Sequence, residues 1–190
     1  MQPLPAVYIV ISGLPASGKS SLASQLKASL GLPLLDKDTI LEPLNVAFRA
    51  TNAEQRRHVS SSADQVFVAV AKQLGMGVLC TFWNHPASTT TPGTDTQWLR
   101  TSAAQIIEVY CHCPAETAFE RIQIRQQKQG SQDSNRANLG YDLLSEYKIE
   151  ASLGPVNIGK VITVKTDQPI KIEVLTQQIV DLIDIKESIL

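Results

Sequence analysis

Residues 6–30 read AVYIVISGLPASGKSSLASQLKASL and combine a strand, a glycine-rich loop and a helix. Val7 to Ile11 is a continuous apolar run rich in β-branched residues, which is typical of a strand buried on both faces. GLPASGKS, residues 13–20, fits the phosphate-binding pattern G-x-x-x-x-G-K-[ST]. Apolar residues then recur at helical spacing as far as Leu30, and Gly31 is placed to end the helix. The three elements follow one another in the order that a phosphate-binding loop requires.

The glycine loop predicts a nucleotide-phosphate site. Gly13 and Gly18 let the backbone curl, so that successive N–H groups point inward beside the positive end of the helix dipole. Lys19 has the reach to contact β- and γ-phosphates, and the Ser20 hydroxyl is a predicted Mg²⁺ ligand. The predicted nucleotide-binding residues of the loop are Gly13, Leu14, Pro15, Ala16, Ser17, Gly18, Lys19, Ser20 and Ser21.

Length and composition favour one globular domain spanning residues 1–190. The chain is 43% hydrophobic and 18% charged, with a formal net charge of −1, which argues against nucleic acid or a membrane surface as partner. No apolar stretch approaches the ~20 residues of a membrane span, and the first ten residues lack the basic segment that we would expect of a signal peptide. We therefore expect a cytoplasmic monomer or weak homodimer whose three cysteines are free thiols.

Four further apolar runs alternate with helical patterns, which predicts an α/β fold with a parallel sheet. The predicted strands after the first are residues 34–35, 78–83, 106–110 and 161–164. Helical patterns cover residues 54–74, 115–129 and 143–151, together with the C-terminal segment. Cys111-His-Cys113 at the fourth strand end is interpreted as two buried thiols, since zinc normally takes four ligands.

Two aspartates follow the second predicted strand. Asp36 stands at its carboxyl end, and Asp38 is the predicted N-cap of the next helix. Because ligands of open α/β sheets lie outside the carboxyl ends of the strands, both aspartates are placed near the γ-phosphate. One of them is therefore a candidate base or substrate anchor. The alternative is a capping aspartate beside a solvated one.

Spaced arginines predict a lid over the nucleotide. Arg121 and Arg125 are four residues apart, hence on one helix face, and Arg136 lies in the polar stretch that follows. Guanidinium groups on a movable segment, about residues 126–141, would neutralise charge on a transferring phosphoryl group. The alternative is a solvated helix end whose cations interact with the negative end of the helix dipole.

Several nucleotide-binding classes lack their signatures here. The third predicted strand, VLCTFW, has no aspartate of the kind that motor ATPases use for the Mg²⁺ site, which argues against an AAA motor or transporter ATPase. The guanine-reading string Asn-Lys-x-Asp and the switch string Asp-x-x-Gly of GTPases do not occur.

With this loop, the LLDKD segment and the arginines, the chain resembles the P-loop kinase group. That group includes zeta-toxins, chloramphenicol phosphotransferases, gluconate kinases, adenylylsulfate kinases and AAA-type predicted small-molecule kinases. The resemblance implies a three-layer fold with a five-stranded parallel sheet in the order 2-3-1-4-5, and ATP as the nucleotide. It also implies that Asp38 or Asp36 is the base or substrate anchor. Arg125 and Arg136 match lid arginines, and Arg121 is a weaker match.

The predicted activity is transfer of the γ-phosphoryl group of ATP, with Mg²⁺, to a hydroxyl of a small-molecule acceptor. The candidate catalytic residues are Lys19, Asp36, Asp38, Arg125 and Arg136. A nucleotide-binding regulator that hydrolyses ATP slowly or not at all is the alternative, because the loop alone does not prove turnover. The acceptor, and whether it belongs to a toxin or to metabolism, stay open.

Overall fold

A computed structural model describes residues 6–89, 93–129 and 143–183. Its centre is a parallel sheet of five strands in the order β2-β3-β1-β4-β5, which confirms the predicted fold class. The strands are β1 (Val7–Gly13), β2 (Leu34–Asp36), β3 (Gly77–Cys80), β4 (Gln105–His112) and β5 (Lys160–Lys165). Each strand pairs in parallel with its neighbours.

Helices cover both faces of the sheet. They are α1 (Lys19–Leu30), α2 (Asp38–Ala47), α3 (Ala53–Leu74), α4 (Gln97–Arg100), α5 (Ala115–Gln129), α6 (Leu143–Leu153) and α7 (Ile172–Leu182). Buried residues of α1 and α7 form one core with alternate residues of β1, β3 and β4. The strand residues whose side chains point to the other face of the sheet, such as Tyr8, Val10 and Leu79, pack against α3 and α4. A smaller apolar cluster joins α5 to α6.

Strand order places the phosphate loop at the middle of the sheet. β1 lies between β3 and β4, and Ile11 is opposite both Cys80 and Val109. The segments that follow β1 and its neighbouring strands in the chain cross to opposite faces of the sheet. A crevice therefore opens at the carboxyl ends of these strands, where ligands of open α/β sheets bind.

The third strand is shorter than the sequence predicts. β3 ends at Cys80 rather than at Trp83, because the following backbone bonds to the segment around Thr94 instead of to the sheet. The Thr94 amide donates to the Phe82 carbonyl oxygen at 2.8 Å, and the Asn84 amide donates to the Thr94 carbonyl oxygen at 2.9 Å. The segment that follows β3 therefore forms one wall of the crevice.

Among the described helices, none combines the length and apolar character needed to span a bilayer.

Candidate active site

The phosphate loop is built by backbone conformations that few residues adopt. Gly13 has φ 130° and Gly18 has φ 96°, and between them Ala16 is left-handed at φ 59°. A Cβ at Gly13 would stand 2.5 Å from the Cys111 carbonyl oxygen, so glycine is required there for space as well as for its torsion angle. Alternation of right- and left-handed residues turns peptide N–H groups to one side and forms an anion-binding concavity.

Lys19 lies inside this loop. Its Nζ donates to the carbonyl oxygens of Gly13 at 3.0 Å and Leu14 at 2.7 Å, and the residue is 9% exposed. Burial lowers the pKa of Lys19, while nearby thiols and aspartates act in the opposite direction. A phosphate oxygen is a stronger, charged acceptor for the same ammonium group. The lysine is thus held in position by neutral carbonyls that a phosphate can replace.

Two serines fit a magnesium nucleotide in different ways. Ser17 is fully buried, and its Oγ is a polar atom without a hydrogen-bond partner among the described residues. Such an atom is costly unless a ligand satisfies it. Ser20, at the start of α1, is exposed and offers a hard oxygen donor beside the loop. Ser21 next to it is also exposed, whereas Leu14 is buried and Pro15 half-buried.

The structure contradicts the prediction that Asp38 is an N-cap. Asp38 is not an N-cap: it is the first residue of α2, and Lys37 precedes the helix without a capping side chain. The Oδ1 of Asp36 accepts the Asp38 amide at 3.1 Å instead, and the Thr39 hydroxyl donates to the Asp36 carbonyl oxygen at 2.7 Å. Asp36 is therefore buried and fixed, whereas Asp38 is exposed.

The pKa of Asp38 reports the charges around it. Partial burial of its carboxyl group raises the pKa, and the negative charge of Asp36 raises it further. The positive charges of Lys19, Lys37 and Arg125 lower it. The loop lysine and an arginine of α5 therefore both act electrostatically on this one carboxylate.

A cysteine stands where motor ATPases end β3 with an aspartate. The Sγ of Cys80 lies 3.8 Å from the Ser20 Oγ, and Cys80 is opposite Asp36 in the sheet register. Burial and the neighbouring Asp36 raise the pKa of Cys80 to about 12. Burial also raises the pKa of Cys111, on the other strand beside the loop, to about 12.

The predicted lid arginines occupy different places. Arg121 donates to the Thr166 carbonyl oxygen at 3.1 Å and to the Cys113 Sγ at 3.6 Å. Thr166 in turn approaches Gly18, where an added Cβ would meet it at 3.6 Å. Arg125, one turn further along α5, is exposed. Arg136 and most of the predicted lid lie outside the described residues.

A narrow cleft adjoins the start of the phosphate loop. Its walls come from the loop, the β3 and β4 ends and the end of α6, and the space open to water-sized spheres is about 30 Å³. The lining residues are Gly13, Leu14, Phe82, Trp83, His85, Tyr110, Glu150, Gly154 and Val156. That volume holds about two water molecules. His85 lines this cleft, but both nitrogens of its ring are used by the backbone. Its Nδ1 accepts the Ala87 amide at 3.0 Å, and its Nε2 lies 3.0 Å from the Pro155 carbonyl oxygen.

Glu108 is a buried group that sequence reasoning missed. It is fully buried in β4, and its Oε1 accepts the Ser12 hydroxyl at 2.5 Å and the Val156 amide at 2.8 Å. Its Oε2 accepts the Ile158 amide at 3.1 Å. One side chain thus connects the residue before the phosphate loop to the segment that lines the cleft. The signal was a single acid inside the apolar run IIEVY, because a buried acid needs partners.

A second missed contact fixes the residue between the two aspartates. Lys37 is 8% exposed, and its Nζ lies 2.7 Å from the Asp64 Oδ1 of α3 and 3.1 Å from the Ser60 Oγ. Asp64 also accepts the Thr94 hydroxyl at 2.6 Å. α3 and the segment that follows β3 therefore hold the end of β2 in place.

Three solved structures share this fold. A candidate kinase from Chloroflexus aurantiacus aligns with a TM-score of 0.71 at 23% identity, over 96% of this chain and 100% of its own. Shikimate kinase from Acinetobacter baumannii, solved with shikimate, gives 0.59 at 21% identity, over 96% and 94%. An unliganded sugar kinase from Janibacter sp. gives 0.55 at 18% identity, over 96% of each chain. These matches confirm the fold expected from the P-loop kinase resemblance.

Sequence comparison identifies the family. No curated protein matches the chain. A family profile, AAA_33, described as an AAA domain, matches residues 9–141, which include the phosphate loop, both aspartates and α5. The match covers well over half of the chain, so the protein belongs to the AAA_33 family of AAA domains.

Proposed function

We propose that the protein is an ATP-dependent phosphotransferase that moves the γ-phosphoryl group to a hydroxyl of a small-molecule acceptor. One observation carries the proposal: the buried ammonium group of Lys19 lies inside the phosphate loop, and the carboxylates of Asp36 and Asp38 follow β2 at the same edge of the parallel sheet. Phosphoryl transfer needs this arrangement, because it depends on positioning and on neutralising charge.

The loop residues bind the nucleotide. Backbone N–H groups between Gly13 and Ser20 surround the phosphates, and the unpartnered Ser17 hydroxyl gains an acceptor there. Lys19 exchanges its bonds to the Gly13 and Leu14 carbonyls for bonds to phosphate oxygens. Arg121, anchored near Gly18 through Thr166, covers the base end of the nucleotide.

The exposed Ser20 hydroxyl and the carboxylate of Asp36 supply hard oxygen donors for Mg²⁺, directly or through water. When bound, the ion neutralises charge on the phosphate oxygens. Cys80, at the position where motor ATPases use an acid, adds no negative charge to this site while its thiol is protonated, because its pKa is about 12.

Asp38 is the better candidate for the base. The Oδ1 of Asp36 is engaged by the Asp38 amide, so Asp36 is fixed beside β3, whereas the Asp38 side chain is exposed to the crevice. In the proposed step, an acceptor oxygen forms a bond to the γ-phosphorus as the bond to the bridging oxygen of ADP breaks. Asp38 takes the acceptor proton, and Arg125, with Arg136 from the lid, offsets charge on the transferring group.

The acceptor hydroxyl is expected to bind at Asp38, and the rest of the acceptor is expected to extend toward the cleft beside the start of the phosphate loop. The cleft there is lined by aromatic rings from Phe82, Trp83 and Tyr110 and by the carboxylate of Glu150. Such a mixture of flat apolar faces and hydrogen-bonding groups suits a compact polyhydroxylated molecule. Since the cleft holds only about two waters, its walls must separate before an acceptor enters.

A coupled ADP-release screen tests the proposal. Purified protein with ATP and Mg²⁺ is assayed against sugars, nucleosides and antibiotics, and the phosphorylated product is identified by mass. At least one acceptor should stimulate ADP release well above the rate without acceptor, and Asp38→Asn should suppress that stimulation. Slow hydrolysis that no acceptor accelerates, together with tight ATP binding, would instead support a nucleotide-binding regulator.

A further inference from the structure

A carboxylate of α3 joins two parts of the acceptor side. Asp64 and Ser60 are four residues apart and Phe67 is three residues further on, so the three side chains lie on one face of the helix. The Oδ1 of Asp64 lies 2.7 Å from the Nζ of Lys37 and accepts the Thr94 hydroxyl at 2.6 Å. Lys37 lies between the two aspartates in the chain, and Thr94 belongs to the segment that follows β3. One oxygen atom therefore connects the end of β2 to the cleft wall.

Lys37 is anchored by its side chain and by its backbone. Its Nζ also donates to the Ser60 hydroxyl at 3.1 Å, and the residue is 8% exposed. Its amide donates to the Cys80 carbonyl oxygen at 3.0 Å, and its own carbonyl oxygen accepts the Leu41 amide at 2.8 Å. The second of these bonds belongs to the first turn of α2, which begins with Asp38. The position of Lys37 therefore sets the position of the Asp38 backbone.

Thr94 extends the contact to an aromatic ring of the cleft. Its hydroxyl donates to Asp64, so the Thr81 hydroxyl, 2.8 Å away, is left to donate to Thr94. The backbone of Thr94 bonds to the residues on either side of Trp83. The Trp83 ring lies edge-on to Phe67 of α3, with 5.8 Å between the ring centroids. α3 therefore contacts the cleft wall through a polar network and through an aromatic pair.

We propose that Asp64 is a positioning residue for the phosphotransfer. Through Lys37 it holds the backbone of Asp38, and through Thr94 it holds the aromatic side of the cleft. The inference rests on the proposed function, in which Asp38 takes the acceptor proton. A buried ion pair adds little net stability, because the loss of hydration offsets the attraction between the charges. What the pair of Lys37 and Asp64 supplies is one fixed geometry, and a reacting group displaced by about 1 Å can lose about 10²-fold in rate.

The phosphate loop is held by contacts of its own. Its Ser17 amide donates to the Leu14 carbonyl oxygen at 3.1 Å, and the Lys19 ammonium group donates to two loop carbonyls. Loss of the Asp64 carboxylate should therefore lower kcat with the acceptor by about ten- to a hundredfold and leave the affinity for ATP unchanged. A purely structural role would instead lower the midpoint of thermal unfolding while the folded protein kept its kcat.

Tryptophan fluorescence tests the link to the cleft without nucleotide or acceptor. The chain has two tryptophans, and the indole N–H of Trp98 has no hydrogen-bond partner among the described residues, so Trp98→Phe is a mild change that leaves Trp83 as the single reporter. In that background, Asp64→Ala should raise the acrylamide quenching constant of Trp83 at least about twofold, because the cleft wall opens more often. Gln65→Ala, the exposed neighbour on α3, is the matched control and should leave the quenching unchanged.

Circular dichroism and thermal unfolding establish that each variant is folded. If Asp64→Ala does not fold, Thr94→Val breaks the link to the cleft wall alone and should raise the quenching in the same direction. Asp64→Asn keeps an acceptor oxygen without the charge, so it should regain part of the kcat that Asp64→Ala loses.

The inference is overturned if Asp64→Ala leaves the Trp83 quenching unchanged, if it lowers ATP affinity as much as kcat, or if it phosphorylates the acceptor found by the ADP-release screen at the wild-type rate. Failure of the proposed function is a separate outcome, since it would be seen in wild-type protein whose ADP release no acceptor stimulates.

Discussion

The phosphate loop and the proposed acceptor cleft lie side by side but are specified in different ways. The loop is one contiguous stretch, residues 13–20, and it recognises phosphate mainly through backbone N–H groups. The cleft takes its walls from the ends of β3, β4 and α6, and an acceptor bound there would contact side chains. Backbone recognition leaves a fixed local pattern in the sequence, whereas side-chain recognition leaves none, because the residues meet only in the folded protein.

Substitution of Lys19 gives the largest effect expected on the loop side. Lys19→Ala should lower phosphotransfer by about 10³-fold, because it removes a preorganised charge from the developing phosphoryl charge. Stability should change little, since the lost bonds to the Gly13 and Leu14 carbonyls are offset by the removal of a buried ammonium group. ADP release and thermal unfolding measure the two quantities. Lys27→Ala, on the exposed face of α1, is the control and should retain activity.

Substitutions of the two aspartates test which carboxylate acts as the base for the acceptor hydroxyl. Asp38→Asn should lower kcat by about 10²-fold, near the lower end for a general base, because a loose phosphoryl transition state depends little on proton removal. Asp36→Asn keeps an oxygen that accepts the Asp38 amide, so it should preserve the fold and affect Mg²⁺ dependence more than kcat. Steady-state kinetics at varied Mg²⁺ separate the two. A larger kcat loss in Asp36→Asn would reverse the assignment.

Much of the fold could be predicted because its signals are local. Apolar strand runs, the glycine loop and Gly31, which ends α1 with φ 66°, each indicate a structure within a few residues. The five-strand order followed from the resemblance attached to that loop. The end of β3 was predicted wrongly, because VLCTFW continues as an apolar run while Phe82 and Asn84 bond to Thr94, which lies in another segment.

The missed parts of the site depend on contacts between distant residues. Glu108 is 96 residues from Ser12 and 48 from Val156, so neither partner was visible beside it in the sequence. The prediction that Asp38 caps α2 was wrong for a related reason. An aspartate before a helical pattern usually caps it, but here the Asp36 carboxylate accepts the Asp38 amide, and Asp38 is the first residue of the helix.

Glu108 offers a test of how strongly the two regions are joined. Glu108→Gln keeps the shape but replaces one acceptor oxygen with an NH₂ group, which then faces a backbone N–H or the Ser12 hydroxyl. We expect a loss of about 1–3 kcal/mol in the free energy of unfolding, which lowers Tm by several degrees. Calorimetry measures it, with Glu120→Gln on the exposed face of α5 as control. Equal Tm values for the two variants would contradict the proposed connection.

The smallest expected effect is a shift in pH dependence, and its sign distinguishes the two sides of the crevice. If ionised Asp38 is the base, the acidic limb of kcat/KM follows its pKa in the free enzyme. Arg125→Ala removes a charge that lowers this pKa, so the limb should move to higher pH by a few tenths of a unit, and high salt should reduce the shift. Asp36→Asn removes a charge that raises the pKa, so the limb should move to lower pH. Arg125→Lys keeps the charge and should leave the profile in place. Shifts of the same sign in Arg125→Ala and Asp36→Asn would show that the acidic limb reports the titration of another group. Asp38 would then lose its proposed role as the base.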